Sequence, residues 1–223
     1  MVGFSVSERV NCANKQDVER YRDLPVAVVS DVMNRLSAGG AGLRPMHRAG
    51  MLIGPAITVR TRPGDNLMVH KALDMAVPGD VLVVDAGGDV TNAIIGELMI
   101  AYAKQKGVAG IVIYGAIRDL DSISKDDFPV FAAGVTHRGP YKDGPGEVNS
   151  DISICGMVVR PGDLVMGDMD GLIAVPYEHV SAVYAPALAK HEKEVAQLEA
   201  IARGENDRSW VDRKLESTDC VGF

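Results

Sequence analysis

Three residues of this 223-residue chain have the types and spacing for chemistry: Glu97, Arg118 and Asp119. They fall within residues 85–121, DAGGDVTNAIIGELMIAYAKQKGVAGIVIYGAIRDLD. The planar fork of Arg118 suits gripping a carboxylate or polarising a carbonyl through two hydrogen bonds, which lysine does not reproduce. Asp119 suits a hard divalent cation held by one carboxylate and several waters, the arrangement Mg²⁺ prefers. Glu97 is able to orient or deprotonate a water. Plainer roles fit the same residues. An Arg-Asp pair at a strand end is a common surface ion pair, and a glutamate in the first turn of a helix complements its dipole. Residue type alone leaves both open.

The elements around them favour a pocket. The continuous apolar run 81–84 predicts a strand buried on both faces. It runs into the glycine-rich loop at Gly87-Gly88, which lacks the G-x-G-x-x-G dinucleotide pattern. A helix over 96–106, stopped by Gly107, then leads to a second buried strand over 109–114. That order predicts a parallel crossover unit. The amides of Gly96, Glu97, Leu98 and Met99 open the helix without intrahelical acceptors and form an anion site. Helix start and Arg118-Asp119 should then meet at the carboxyl edge of adjacent strands, where open α/β sheets place their ligands.

The rest of the chain reads as scaffold. Residues 15–37 predict two short helices with Asp17 as N-cap, and 66–76 a third. Strands are predicted over 52–60, 129–133, 152–159, 164–166 and 172–175. Three Pro-Gly-Asp turns, at 63–65, 78–80 and 161–163, precede elements of this body. In each, proline presets φ and glycine accepts φ > 0. From Tyr177 to Arg203 the chain is helical and charged, with Pro186 expected to open a second helix. Its stripe of Leu188, Val195, Leu198 and Ile201 suits a neighbouring subunit. The reading is one α/β domain over 1–176 and a C-terminal helical arm over 177–223, the tail after Gly204 being unassigned.

Composition narrows the partners. With 47% hydrophobic and only 5% aromatic residues, the core must be aliphatic. The net charge of −7 offers no general basic surface, which argues against nucleic acid and anionic membranes. No apolar run reaches the roughly 18 to 20 residues of a membrane span, so a cytoplasmic protein is expected. Cys12, Cys155 and Cys220 are far apart and read as incidental thiols, the five histidines are scattered, and zinc chemistry is not expected. Lys71, Lys104 and Lys106 read as solvated helix residues, which disfavours a lysine imine.

The motifs S-D-V-M-N at 30–34, G-D-V-L-V-V-D at 79–85, P-G-D-L-V at 161–165 and D-G-L-I-A-V-P at 170–176 occur in this order. Twenty residues separate Glu97 from Arg118-Asp119. In these features the chain resembles the family that joins the class II 4-hydroxy-4-methyl-2-oxoglutarate/4-carboxy-4-hydroxy-2-oxoadipate aldolases with the RraA-like proteins. The resemblance implies a swivelling β/β/α-type α/β fold, assembled as a homotrimer or homohexamer with sites near subunit interfaces. It implies a small 2-oxo acid substrate and a divalent metal, Mg²⁺ or Mn²⁺. The reaction would be a retro-aldol cleavage to pyruvate, as in aromatic-compound catabolism, with oxaloacetate decarboxylation beside it.

Carried over residue by residue, the substrate carboxylate falls on Gly96, Glu97, Leu98 and Met99, Arg118 grips the keto acid and Asp119 anchors the metal. The acidic position is Asp in those aldolases and Glu97 here. A carboxylate from a neighbour's C-terminal helix would approach the metal's waters, with Glu194 the best match and Glu192 its rival. The alternative the resemblance carries is a non-catalytic RraA-type protein that regulates a ribonuclease by contact.

Overall fold

In the run Val81–Asp85 all four apolar side chains are fully buried, Val81 and Val83 on one face and Leu82 and Val84 on the other. A strand apolar on both sides must be covered on both sides, and this sets the layering. The computed structural model describes residues 2–222. In chain order its elements are β1 (Ser5–Val6), α1 (Lys15–Arg20), α2 (Val26–Val32), β2 (Arg44–Pro45), β3 (Leu52–Thr61), α3 (Leu67–Met75) and β4 (Val81–Asp85). Then follow β5 (Ala93–Ile95), α4 (Glu97–Gln105), β6 (Gly110–Ile117), α5 (Leu120–Ile123), β7 (Val130–Val135) and β8 (Gly146–Val148). The chain ends with β9 (Ile152–Ile154), β10 (Met157–Val159), β11 (Leu164–Gly167), β12 (Leu172–Val175), α6 (Val180–Ala202) and α7 (Ser209–Glu216).

The spine is a sheet in which β3, β4, β6 and β7 are parallel neighbours, extended by β8 and β1 on one side and by β2 on the other. Strand β11 continues it antiparallel to the first half of β3, and β12 pairs antiparallel with β11. Leu82, Val84, Ile111 and Ile113 pack against Met68, Val69 and Leu73 of α3 and Ile100 and Ala103 of α4. On the opposite face Val81, Val83, Val112 and Phe131 meet the β9–β10 hairpin and alternate residues of β11 and β12. The other residues of β11 and β12 face α1, α2 and the first half of α6, around the buried Tyr21. No helix among the described residues is long and apolar enough to cross a membrane.

Several expectations change in detail. Asn14, not Asp17, caps α1: its Oδ1 accepts the Asp17 amide at 2.9 Å. Residues 152–159 form a two-stranded hairpin, because Cys155 and Gly156 both take φ > 0 and reverse the chain. The strand expected over 109–114 runs on to Ile117, which carries Arg118 to the sheet's carboxyl edge. Pro186 lies inside α6 on its exposed face, so the Ala182 carbonyl it leaves unpaired is also on an exposed residue and is open to water. Leu188 of the expected intersubunit stripe packs on this chain's own core, whereas Val195, Leu198 and Ile201 are exposed. The unassigned tail contains α7.

All three Pro-Gly-Asp turns have glycine at φ > 0, and their aspartates are buried. Asp65 does the most. Its carboxylate accepts the amides of Leu67, Asp143 and Gly144 at 2.8 to 3.0 Å and meets Arg62 at 3.1 Å. Burial by itself would raise its pKa, but those amides and the guanidinium outweigh it and hold the group below the usual value. Asp65→Ala strands three amides at about 1 kcal/mol or more each. The expected loss is therefore at least ~3 kcal/mol, a fall in melting temperature of roughly 6 °C or more. A melt within about 2 °C of wild type would remove Asp65 from this role. Because the folded pKa is depressed, the carboxylate's contribution is present above the unfolded value near 3.8 and fades as pH falls below it.

Candidate active site

The short strand β5 explains how the site forms. Ala93 pairs with Ala116 and Ile95 with Ile117, so β5 lies parallel beside the last residues of β6. The next residues on each strand, Gly96-Glu97 and Arg118-Asp119, are therefore side by side. The Arg118 amide donates to the Ile95 carbonyl at 3.0 Å. Asp119 turns the chain in the left-handed region, φ 59°, a conformation aspartate tolerates better than most residues. Its Oδ2 then accepts the Glu97 amide at 3.0 Å, capping α4, and sits 3.7 Å from Arg118 Nε.

This close approach requires Gly96. A Cβ there would collide with Asp119 Oδ2 and stand 2.9 Å from Arg118 Cγ. The first amide of α4 is thus taken by the chain's own carboxylate and is not free for a ligand. By helix geometry the next, that of Leu98, remains without an intrahelical acceptor. The Met99 and Ile100 amides both return to the Gly96 carbonyl, at 3.1 and 3.2 Å.

Arg118 is half-buried and faces a cleft of about 150 Å³. Gly96, Leu98 and Met99 form one wall, and Asn66, His70 and Lys142 form another. These last three were not singled out from sequence. Asn66 and His70 come from the start of α3, and Lys142 from the loop after β7. That loop is stitched to β5 and to the first Pro-Gly-Asp turn by Ala93 N–H to Arg138 O, 2.8 Å, and Tyr141 N–H to Gly64 O, 2.8 Å. Asp65 clamps the same two segments, since it holds the amides of Leu67, Asp143 and Gly144. No local motif announces such a contact; the P-G-D-N stretch at 63–66 was the one available signal.

The other expected residues are placed differently. Glu97 is exposed and lines an adjoining apolar groove of about 400 Å³ with Ile100, Ile123, Phe128 and Val130; the groove and cleft share Leu98. Glu194 lies on α6, paired with Lys190 at 2.9 Å, which also reaches Asp31 at 3.0 Å. Glu194 lines neither cavity. The three cysteines are free thiols, and none of them lines the cleft.

As a metal-binding set, the site offers one carboxylate. Asp119 Oδ2 is engaged by the Glu97 amide, leaving Oδ1 for a cation. Among the described residues no group of three or more His, Cys, Asp or Glu side chains is close enough to hold an ion unaided. One carboxylate completed by waters and ligand oxygens fits Mg²⁺ or Mn²⁺ and does not fit zinc.

His70 is held below its ordinary pKa, first by burial and then by the Lys142 ammonium, with Asp74 opposing. In an NMR titration its ring should titrate below 6.5, and in Lys142→Met the midpoint should rise. An unchanged midpoint in the variant would separate Lys142 from His70. A second expectation concerns packing: Gly96→Ala should displace Asp119 and Arg118 and lower ligand affinity by about 5- to 150-fold, by the ordinary cost of overpacking of roughly 1 to 3 kcal/mol. Retained affinity would show that the close approach is dispensable.

With that geometry in hand, known proteins give it a family. The RraA-like model, Aldolase/RraA, matches residues 26–174. A Halalkalibacterium halodurans protein, named provisionally as a 4-hydroxy-4-methyl-2-oxoglutarate aldolase, is 38% identical over 185 residues, covering 83% of this chain and 88% of its own. A Thermus thermophilus protein named 4-hydroxy-4-methyl-2-oxoglutarate aldolase is 36% identical over 112 residues, 50% of this chain and 68% of its own. Among solved structures, an uncharacterized protein from Pseudomonas syringae pv. tomato matches with a TM-score of 0.78 at 25% identity, covering 87% of this chain and 96% of its own. The RNA-processing inhibitor RraA from Thermus thermophilus matches with a TM-score of 0.64 at 30% identity, covering 69% and 93%. The fold and the matched sequence agree, and the chain belongs to the Aldolase/RraA family.

Proposed function

We propose that this protein is a divalent-metal-dependent lyase that cleaves a 4-hydroxy-2-oxo acid, such as 4-hydroxy-4-methyl-2-oxoglutarate or 4-carboxy-4-hydroxy-2-oxoadipate, to pyruvate. The observation that carries this reading is the juxtaposition of Arg118, the Asp119 carboxylate and the first turn of α4 across Gly96, on a cleft with a cationic wall. The aldolase-named relatives support it. Such a site recognises a 2-oxo carboxylate and stabilises negative charge on the 2-oxo oxygen as it develops.

In the chemistry we infer, the substrate carboxylate takes the Leu98 amide and the positive end of α4. Arg118 donates to the 2-oxo group from its guanidinium fork. Asp119 would hold Mg²⁺ or Mn²⁺, which supplies Lewis-acid polarisation of the same oxygen. Glu97, at the junction of groove and cleft, would hold the water that takes the C4 hydroxyl proton. As that proton leaves, the C4–O bond becomes a carbonyl and the C3–C4 electron pair moves into the enolate of pyruvate. Protonation at C3 completes the product. The same electron acceptance at C2 accounts for oxaloacetate decarboxylation as a side activity.

Assembly belongs to this proposal. The apolar groove beside Glu97 and the exposed Val195, Leu198 and Ile201 suit a homotrimer or homohexamer, in which Glu194 of α6 reaches a neighbour's site. The rival reading, a non-catalytic regulator of a ribonuclease, draws on the RNA-processing inhibitor among the structural relatives. A buried glycine held open for a carboxylate and an arginine is a costly arrangement for a surface that only docks, and it favours the lyase.

The expected result is pyruvate release from 4-hydroxy-4-methyl-2-oxoglutarate with Mg²⁺ or Mn²⁺ and its loss with EDTA. No pyruvate from this substrate or from oxaloacetate under any metal would end the lyase reading. Arg118→Ala and Asp119→Asn should each reduce turnover at least about 100-fold. Asn keeps both the left-handed turn and an acceptor for the Glu97 amide, so the melt of Asp119→Asn should stay within about 2 °C. Unfolding of that variant would instead assign the carboxylate a structural duty.

A further inference from the structure

Arg118 is central to the site, yet among the described residues no hydrogen bond reaches its guanidinium. The nearest carboxylate oxygen, Asp119 Oδ2, stands 3.7 Å from Nε. Arg48 shows the contrast: Asp127 takes two of its donors, at 2.9 and 2.6 Å. The donors of Arg118 are left for a ligand. A long side chain held by nothing would surrender its rotamer freedom only when the ligand arrives, which weakens the grip.

Packing supplies the restraint instead. A Cβ at Gly96 would stand 2.9 Å from Arg118 Cγ and 3.0 Å from Nε, and one at Gly139 would stand 3.3 Å from Nη1. Bare backbone therefore closes on the stem of the side chain at Gly96 and on its head at Gly139. The first jaw is fixed by the pairing of β5 with β6. The second lies in the loop after β7, outside any strand or helix, and needs another anchor. Asn92 provides it. Its Nδ2 donates to the Gly139 carbonyl at 2.6 Å, while the amide of the next residue, Ala93, donates to the Arg138 carbonyl at 2.8 Å. Two successive carbonyls of the loop are thus held by two successive residues. Turning the Asn92 amide over would set oxygen against oxygen, so its orientation is fixed. Its other side leans on the first Pro-Gly-Asp turn, where Asn92 Cβ is 3.1 Å from the place a Cβ at Gly64 would take.

We propose that Asn92 is a positioning residue: by holding the Gly139 carbonyl it closes the loop on Nη1 and keeps the Arg118 guanidinium directed into the cleft. The inference rests on the reading above, which gives Arg118 the 2-oxo group, and adds the side chain that aims it. Asn92 lines neither the cleft nor the adjoining groove, so it acts only through the arginine. A misplacement of the guanidinium by about 1 Å is enough to cost on the order of 100-fold in rate.

Asn92→Asp keeps the shape of the side chain, removes the donor and sets a carboxylate oxygen against the Gly139 carbonyl. An arginine side-chain NMR spectrum reads the restraint without ligand or metal. The Arg118 Nε–H signal, identified by its loss in Arg118→Lys, should be sharp in the wild type and broadened or shifted in Asn92→Asp. With 4-hydroxy-4-methyl-2-oxoglutarate and Mg²⁺, Asn92→Asp and Asn92→Ala should each lower kcat/KM at least about tenfold, mainly through kcat. The melting temperature of Asn92→Ala should fall by no more than about 4 °C, the worth of one partly exposed hydrogen bond. In an Arg118→Lys background the same substitutions should cost less than about twofold, because the group they act through is gone. Equal losses in both backgrounds, or an Arg118 signal unchanged by Asn92→Asp, would overturn the proposal. If the wild type cleaves no 4-hydroxy-2-oxo acid but the Arg118 signal is released by Asn92→Asp, the positioning role stands and the reaction assignment falls.

Discussion

The bond from the Glu97 amide to Asp119 Oδ2 is the contact on which the site depends. It joins a helix start to a strand end and brings a carboxylate to the positive end of α4, where such a charge is stabilised. Three conditions must hold together. Strand β5 must pair in register with the end of β6, Asp119 must adopt the left-handed turn, and residue 96 must lack a side chain. Once they hold, the geometry of Arg118 follows, because its amide is fixed to Ile95 and its side chain passes the space a Cβ at Gly96 would fill. The bond also removes one amide from the anion site, so a ligand carboxylate must rely on Leu98 and Arg118.

A second carboxylate does for the opposite wall what Asp119 does for this one. Asp65 ties the start of α3 to the loop carrying Lys142, and so brings together residues that are 72 to 76 positions apart in the chain for Lys142 with His70 and Asn66. The same tripeptide gives different electrostatics elsewhere. Asp163 is also buried at a Pro-Gly-Asp turn, but it accepts only the Arg160 and Tyr177 amides, at 2.8 and 3.0 Å. There burial wins and its pKa rises, whereas at Asp65 a third amide and Arg62 reverse the sign. The direction of the shift is set by what the tertiary surroundings supply, amides and Arg62 at Asp65 but burial and the Glu178 carboxylate at Asp163, and not by the turn motif.

This division also explains what was legible in the sequence. The runs around Val81 to Val84 and Gly110 to Ile117 are apolar on both faces, so local pattern was enough to predict parallel strands and the crossover helix between them. The placement of Glu97 beside Arg118 and Asp119 was legible for the same reason, these residues being attached to the ends of those elements. Strand β5 was not, since three residues carry no period, and neither was the cap of α1, where two polar residues compete and only geometry chooses Asn14. Pro186 misled because its missing amide is harmful only where the carbonyl one turn back is buried, and Ala182 is exposed. Asn66, His70 and Lys142 were invisible because nothing local distinguishes them; a loop that returns through backbone hydrogen bonds puts them on one wall.

The net charge of −7 poses a last question, since the proposed ligand is itself an anion. Distance settles it. At physiological ionic strength exposed charges are screened beyond about 8 Å, so most of the excess acid on the surface contributes little at the cleft. An ammonium or guanidinium about 4 Å from a carboxylate, at the effective dielectric of a protein surface, contributes on the order of 4 kcal/mol before desolvation. Arg118, Lys142 and His70 all border the cleft, and burial and the Lys142 ammonium hold the His70 pKa below its ordinary value. The field that a bound diacid meets is therefore set by these few residues, and the global charge acts chiefly on the approach, where it slows association with anions more than it weakens the complex.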